Sequence, residues 1–224
     1  MSDAQLPETR PVHAVLFDFG GVITTSPFEA FHRYENSVRA PRDTIRTINS
    51  TNPDNNAWAK MERSEVDTAG FAALFEAEAA ALGHDMSGEA VLGCLSGGVR
   101  PYMVRALQVL KEHGIRIACI TNNMKAGHGA GMARSEEQAA AVADAMSHFE
   151  MVIESSVEGL RKPDPAIYQL ALDRMGIAAA DAIYLDDLGI NCKPAAALGM
   201  RAIKVTDGEK ALADLEALVG IALR

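Results

Sequence analysis

Five short aliphatic runs, set among helical patterns, constrain this chain more than any other feature. They are "VHAVLF" (12–17), "IRIACI" (115–120), "EMVIE" (150–154), "AIYL" (182–185) and "RAIKV" (201–205). Each is too short for a helix and rich in the Val, Ile and Leu that strands buried on both faces use. Helical patterns alternate with them. "YMVRALQVLKEHG" ends on a Gly stop and "SEEQAAAVADAMSHF" opens on a Ser cap. "DPAIYQLALDRMG" has Asp164 as N-cap, Pro165 at the first helical position and Gly176 as stop. Strands alternating with helices form βαβ units, so the expected fold class is α/β with a parallel sheet and helices on both faces.

The first two runs stand almost a hundred residues apart, although a crossover needs only a dozen or so. No strand pattern interrupts the interval, and "SPFEAFHRYENSV", "NAWAKMERSE" and "TAGFAALFEAEAAALG" within it read as helices. The excess is expected to be a small helical cap, residues 28–95, inserted into a core made of residues 1–27 and 96–224. With 48% apolar residues the chain can bury both cores. A net charge of −9 argues against a nucleic-acid partner. Cys94, Cys119 and Cys192 form no CxxC pair, and the six His have no ligand spacing, so no zinc site is suggested. No apolar run approaches ~20 residues and the N-terminus lacks an apolar signal region, so a cytoplasmic protein with no membrane partner is expected. The Gly-rich "KAGHGAGMARS" (125–135) reads as a surface loop, and Trp58 as part of the cap interior. Nothing in the pattern specifies an oligomeric state.

Ligands of open parallel sheets bind beyond the carboxyl ends of the strands. Asp18 ends the first run, Thr121, Asn122 and Asn123 the second, and Asp186 and Asp187 the fourth; Lys162, in "RKPDP", follows the third by a few residues. Singly, each is what a turn or a solvated loop carries. Together they fit phosphoryl transfer through an aspartyl intermediate, in which a carboxylate attacks phosphorus once the phosphate charge is neutralised. Asp187, with Asp186 behind it, would hold Mg²⁺ beside Asp18. Lys162 would add positive charge, and the Thr121 hydroxyl and nearby N–H groups would bind phosphate oxygens.

"FDFGGV", "ITNN", "LRKPDPAIYQLAL" and "YLDDLGINCKPAAALGM" occur in the order of the haloacid dehalogenase superfamily, which the chain resembles over nearly its whole length. The insertion after the first motif is similar to the helical cap of subclass I. "ESSVEGLRKPDP" and "LDDLGINCKPA" resemble the phosphatase-like N-terminal domain of soluble epoxide hydrolases and the related domain fused to some acyl-CoA dehydrogenases. The resemblance implies a Rossmann-like core and a small phosphorylated substrate. It implies Asp18 as nucleophile, Thr121 and Asn122 as phosphate binders, Lys162 as charge neutraliser, and Asp18, the Gly20 carbonyl and Asp187 as Mg²⁺ ligands. Asp186 would be an outer or second metal contact, with Asn191 supporting the metal shell.

One position departs from that family. Phosphatases of the superfamily read Asp-x-Asp, and the second Asp serves as acid and base; here that position is Gly20. The carbonyl survives and the carboxyl does not. His32, Glu29 and Glu62 of the cap are candidates to replace it. A metal-independent 2-haloacid dehalogenase, whose leaving halide needs no proton, and a non-catalytic domain that binds a phosphorylated ligand are the alternatives.

Overall fold

The computed structural model describes residues 11–123 and 135–224; the Gly-rich segment falls outside them, except Ser135. Five parallel strands form one sheet: β1 (Ala14–Phe17), β2 (Arg116–Thr121), β3 (Met151–Glu154), β4 (Ala182–Asp186) and β5 (Arg201–Lys204), in the order β3-β2-β1-β4-β5. β1 lies at the centre, its Phe17 in register with Cys119 on one side and Leu185 on the other. The fold is the expected α/β one.

Side-chain alternation explains why both faces are covered. Val15 and Phe17 point into a cluster with Ile117, Cys119, Ile183 and Leu185. Helices α6 (Pro101–Glu112), α7 (Glu136–Ser147) and α11 (Gly208–Val219) close it. Ala14 and Leu16 point the other way, with Ala118, Ile120 and Tyr184, beneath α9 (Pro165–Met175) and α10 (Gly189–Ala197). The helix boundaries follow local chemistry. Ser135 accepts from Gln138 N at the start of α7, Asp164 from Ala166 N at the start of α9, and Gly176 ends α9 with a left-handed φ of 63°. A one-turn helix, α8 (Ser155–Glu158), follows β3 directly and carries no sequence signal of its own.

Between β1 and α6 lie five α-helices: α1 (Phe28–Ser37), α2 (Thr44–Ser50), α3 (Ala57–Glu62), α4 (Thr68–Ala81) and α5 (Gly88–Gly93). They share an apolar cluster of their own, with Phe31, Ile45, Ile48, Trp58, Met61, Phe71, Phe75 and Val91. Trp58 lies edge-on to Phe71, ring centroids 4.9 Å apart. Two adjacent stretches connect this unit to the sheet domain: Thr25 N donates to Gly98 O (2.8 Å) and Thr24 pairs with Val99. Among the described residues, no helix is long and apolar enough to cross a membrane.

Candidate active site

The carboxyl edge of the sheet gathers the acidic residues around one buried lysine. Asp18 N donates to Leu185 O (2.8 Å), which extends the β1–β4 pairing by one residue and fixes the carboxylate at the strand end. Asp18 Oδ1 accepts from Phe19 N (2.7 Å) and lies 2.7 Å from Lys162 Nζ. Oδ2 accepts no hydrogen bond among the described residues. One oxygen thus orients the carboxylate and the other is unengaged among the described residues.

Lys162 is 2% exposed, and its ammonium also lies 2.8 Å from Asp186 Oδ2. Burial works against that charge, but Asp18 and Asp186 outweigh it and hold the ammonium above its ordinary range. The Asp18 carboxyl is pushed up to about 8, first by burial and against the pull of Lys162, with Asp186 and Asp187 adding to the rise. The site is therefore overloaded with acidic groups.

Asp186 is saturated. Oδ1 accepts from Leu188 N (2.8 Å) and Asn191 Nδ2 (3.1 Å). Oδ2 accepts from Lys162 Nζ, Tyr184 Oη (2.6 Å) and Asn191 Nδ2 (3.1 Å). Asn191 is tied in turn by Tyr168 Oη, which donates to its carbonyl (2.8 Å). Asp186 therefore anchors Lys162, and Asn191 clamps Asp186. Asp187 is far less engaged: Ser26 Oγ donates to its Oδ2 (3.2 Å). Burial, followed by the Asp186 charge, pushes its carboxyl up to about 6. Asp18, Asp186 and Asp187 each offer an oxygen, all within 4.8 Å of one another. Three carboxyl groups against one lysine, with hard oxygen donors, fit a divalent cation such as Mg²⁺.

The two glycines after Asp18 differ. Gly21 has φ 77°, and a Cβ there would overlap the Asp187 carboxylate. Only glycine lets the turn pass that close. Gly20 has φ −70° and ψ 128°, allowed to any L-residue, and open space where its Cβ would point.

Thr121 ends β2, 7% exposed. The side chains of Asn122 and Asn123 are already committed within the protein. Asn122 Oδ1 accepts from Lys162 N (2.8 Å), and its Nδ2 donates to Lys162 O (3.0 Å) and Glu62 Oε2 (3.2 Å). Asn123 donates to Glu154 and accepts from Ser156 Oγ (2.8 Å). Both amides brace the segments that flank the site, and both Nδ2 hydrogens of Asn122 are used in doing so. Of the three candidates in the helical unit, Glu29 is 90% exposed and His32 bonds Asp43 within that unit (3.2 Å). Glu62 reaches the sheet domain, where Arg161 Nε donates to it (2.6 Å); burial raises its carboxyl, and Arg161 opposes the rise.

Tyr184, Tyr168, Ser26 and Arg161 escape a sequence reading. Tyr184 had one usable signal: it stands two residues before Asp186 on a strand, so both face the same side.

Comparison with known proteins follows the same lines. A sequence model of the haloacid dehalogenase-like hydrolase family matches residues 12–199. Mouse acyl-CoA dehydrogenase family member 10 is 33% identical over 219 residues, which is 96% of this chain and 20% of that protein. The chain thus spans about a fifth of the relative's length. The sesquiterpene phosphatase of Aspergillus oryzae is 26% identical over 92% of this chain and 96% of its own length. Among solved structures, a family enzyme from Bacteroides thetaiotaomicron, in complex with magnesium and inorganic phosphate, superposes with a TM-score of 0.56. It is 18% identical, over 86% of this chain and 93% of that one, a likeness of fold.

Proposed function

The chain belongs to the haloacid dehalogenase-like hydrolases, and on that premise we propose that it is a Mg²⁺-dependent phosphatase of small phosphorylated metabolites, working through an aspartyl-phosphate on Asp18. The observation that carries this reading is the Asp18 carboxylate, gripped through Oδ1 by Lys162 and Phe19 N, with Oδ2 accepting no hydrogen bond among the described residues. The Aspergillus oryzae relative is named a phosphatase, and the Bacteroides thetaiotaomicron structure holds magnesium and phosphate, which supports the same chemistry here. Residues 28–95 act as the cap, and 1–27 with 96–224 as the core.

Asp18 Oδ2 attacks phosphorus; the ester P–O bond breaks and its electron pair leaves with the alcohol oxygen. Water then attacks phosphorus, the P–O bond to Asp18 breaks with its electron pair returning to the carboxylate, and phosphate leaves, the water's proton passing through solvent to the departed oxyanion. Lys162 holds Asp18 in aim and contributes positive charge to the phosphoryl oxygens, and the Thr121 hydroxyl donates to them. Asp18, the Gly20 carbonyl and Asp187 would hold Mg²⁺, with Asp186 behind them keeping Lys162 in place. When bound, the ion supplies the positive charge that a phosphate dianion needs to approach three acidic groups.

The Asp187 role is tested by calorimetric Mg²⁺ titration of the Asp187→Asn protein. Affinity is expected to fall by more than about tenfold. An unchanged affinity would remove Asp187 from the metal site.

Gly20 determines which substrates suffice. With no carboxyl at that position, the departing oxygen carries its negative charge unaided. Aryl or acyl phosphates should turn over at least ~10²-fold faster than alkyl phosphates. The backbone at Gly20 accepts a side chain without rearrangement, so Gly20→Asp should fold normally and raise alkyl phosphate turnover by ~10²-fold or more. A parent that hydrolyses alkyl and aryl esters equally, and a folded variant that gains nothing, would show that another group supplies the proton. The missing carboxyl also suits displacement of halide at carbon. Chloride release from a 2-chloro acid, without phosphate release from aryl phosphates, would establish that reading instead.

A further inference from the structure

We infer that Glu62, at the end of α3 in the cap, is a positioning residue that makes the docked cap part of what fixes Lys162. The inference rests on the phosphatase reading for its catalytic consequence and on geometry alone for the coupling.

The contacts between α3 and the sheet domain converge on this residue. Arg161 Nε donates to Glu62 Oε2 (2.6 Å), and Asn122 Nδ2 donates to the same oxygen (3.2 Å). The Glu62 carbonyl accepts from Ser155 Oγ (2.7 Å). Two further bonds flank it: Arg161 Nη1 to Pro53 O (3.1 Å) and Ser64 Oγ to Ser156 O (3.1 Å). Arg161 and Asn122 are not arbitrary partners. Each is the immediate chain neighbour of a residue placed at the phosphate, Lys162 and Thr121.

Asn122 is the link. Its amide closes a two-bond ring on the Lys162 backbone, Oδ1 accepting from Lys162 N and Nδ2 donating to Lys162 O. The second Nδ2 hydrogen goes to Glu62. An amide that can rotate about its terminal torsion is thereby held in the one orientation that serves Lys162. Lys162 must in turn place its ammonium 2.7 Å from Asp18, where a misplacement of ~1 Å costs ~10²-fold in rate.

Glu62 and Arg161 side chains are 14% and 18% exposed, and a cavity of about 350 Å³ beside them is lined by Asp54, Arg63, Arg161 and Pro163. The seam is a rim rather than a packed core. Without the Glu62 carboxylate, Asn122 loses its third bond and Lys162 loosens. A docked cap and an aligned charge centre therefore occur together.

The test compares the parent with Glu62→Ala and Glu62→Gln. The first readout needs no substrate: exchange of the Lys162 amide hydrogen, which Asn122 Oδ1 holds. Glu62→Ala is expected to speed it at least tenfold, with β1 and β4 amides unchanged. Glu62→Gln keeps a side-chain acceptor oxygen and should fall between the two. The second readout is aryl phosphate hydrolysis with Mg²⁺. Here kcat should fall ~10–100-fold in Glu62→Ala and be largely rescued in Glu62→Gln. Unchanged Lys162 exchange overturns the inference, as does exchange that rises equally in β1 and β4, which marks general destabilisation. Local loosening without loss of kcat overturns the catalytic half. If the parent itself hydrolyses no phosphate ester, the phosphatase reading fails, and exchange alone decides whether Glu62 steadies Lys162.

Discussion

Asp18→Asn is expected to abolish turnover, by ~10⁴-fold or more, while leaving the protein folded. The amide nitrogen cannot form the acyl-phosphate, and without the covalent step only binding and charge stabilisation remain. The fold has reason to tolerate the change. An asparagine Oδ1 can still accept from Phe19 N and from Lys162, and Asp186 still neutralises the ammonium. Burial already disfavours the charged form of Asp18, so a neutral group of the same shape removes a cost. The thermal midpoint of the variant should be equal to the parent's or higher. Residual turnover within tenfold of the parent would place the chemistry elsewhere.

Lys162→Met is expected to have the second-largest effect, on stability as well as rate. The lysine is wedged between Asp18 and Asp186, with its ammonium bonded to both carboxylates. Removing one partner of a buried ion pair leaves the other charge uncompensated, at a cost of about 3–5 kcal/mol. Methionine fills the stem's space and supplies none of the donors. Loss of the charge at the phosphate should lower kcat by ~10²–10³-fold beyond any unfolding. Urea unfolding followed by assay of the folded fraction separates the two effects. A stable Lys162→Met protein with near-parent activity would mean that Lys162 is only a space-filler.

The strands, and with them the placement of Asp18 and Asp186, were legible because both are local properties. A short β-branched run ending in an acid predicts a strand end from a dozen residues. Lys162 was legible only through the order of the motifs, since α8 and a turn separate it from β3. The roles of Asn122 and Asn123 were not legible. An Asn after a strand looks the same whether it faces a ligand or braces a neighbour, and their partners, Lys162, Glu62, Glu154 and Ser156, lie 31 to 60 residues away. The Glu62–Arg161 pair spans 99 residues and joins a helix end to a loop of the other unit, so no local pattern announces it. Sequence alone cannot say which of two adjacent glycines the backbone requires; the left-handed φ and the close approach to Asp187 belong to Gly21, which leaves Gly20 free to vary.

The central claim, that Asp18 attacks phosphorus, is tested most directly by trapping. The parent would be mixed with an aryl phosphate and Mg²⁺, quenched in acid within the first turnovers, digested and sequenced by mass spectrometry. The account predicts a phosphoryl group on Asp18, labile to hydroxylamine and lost from Asp18→Asn. Steady turnover with no label, or with the label on any other side chain, would contradict it.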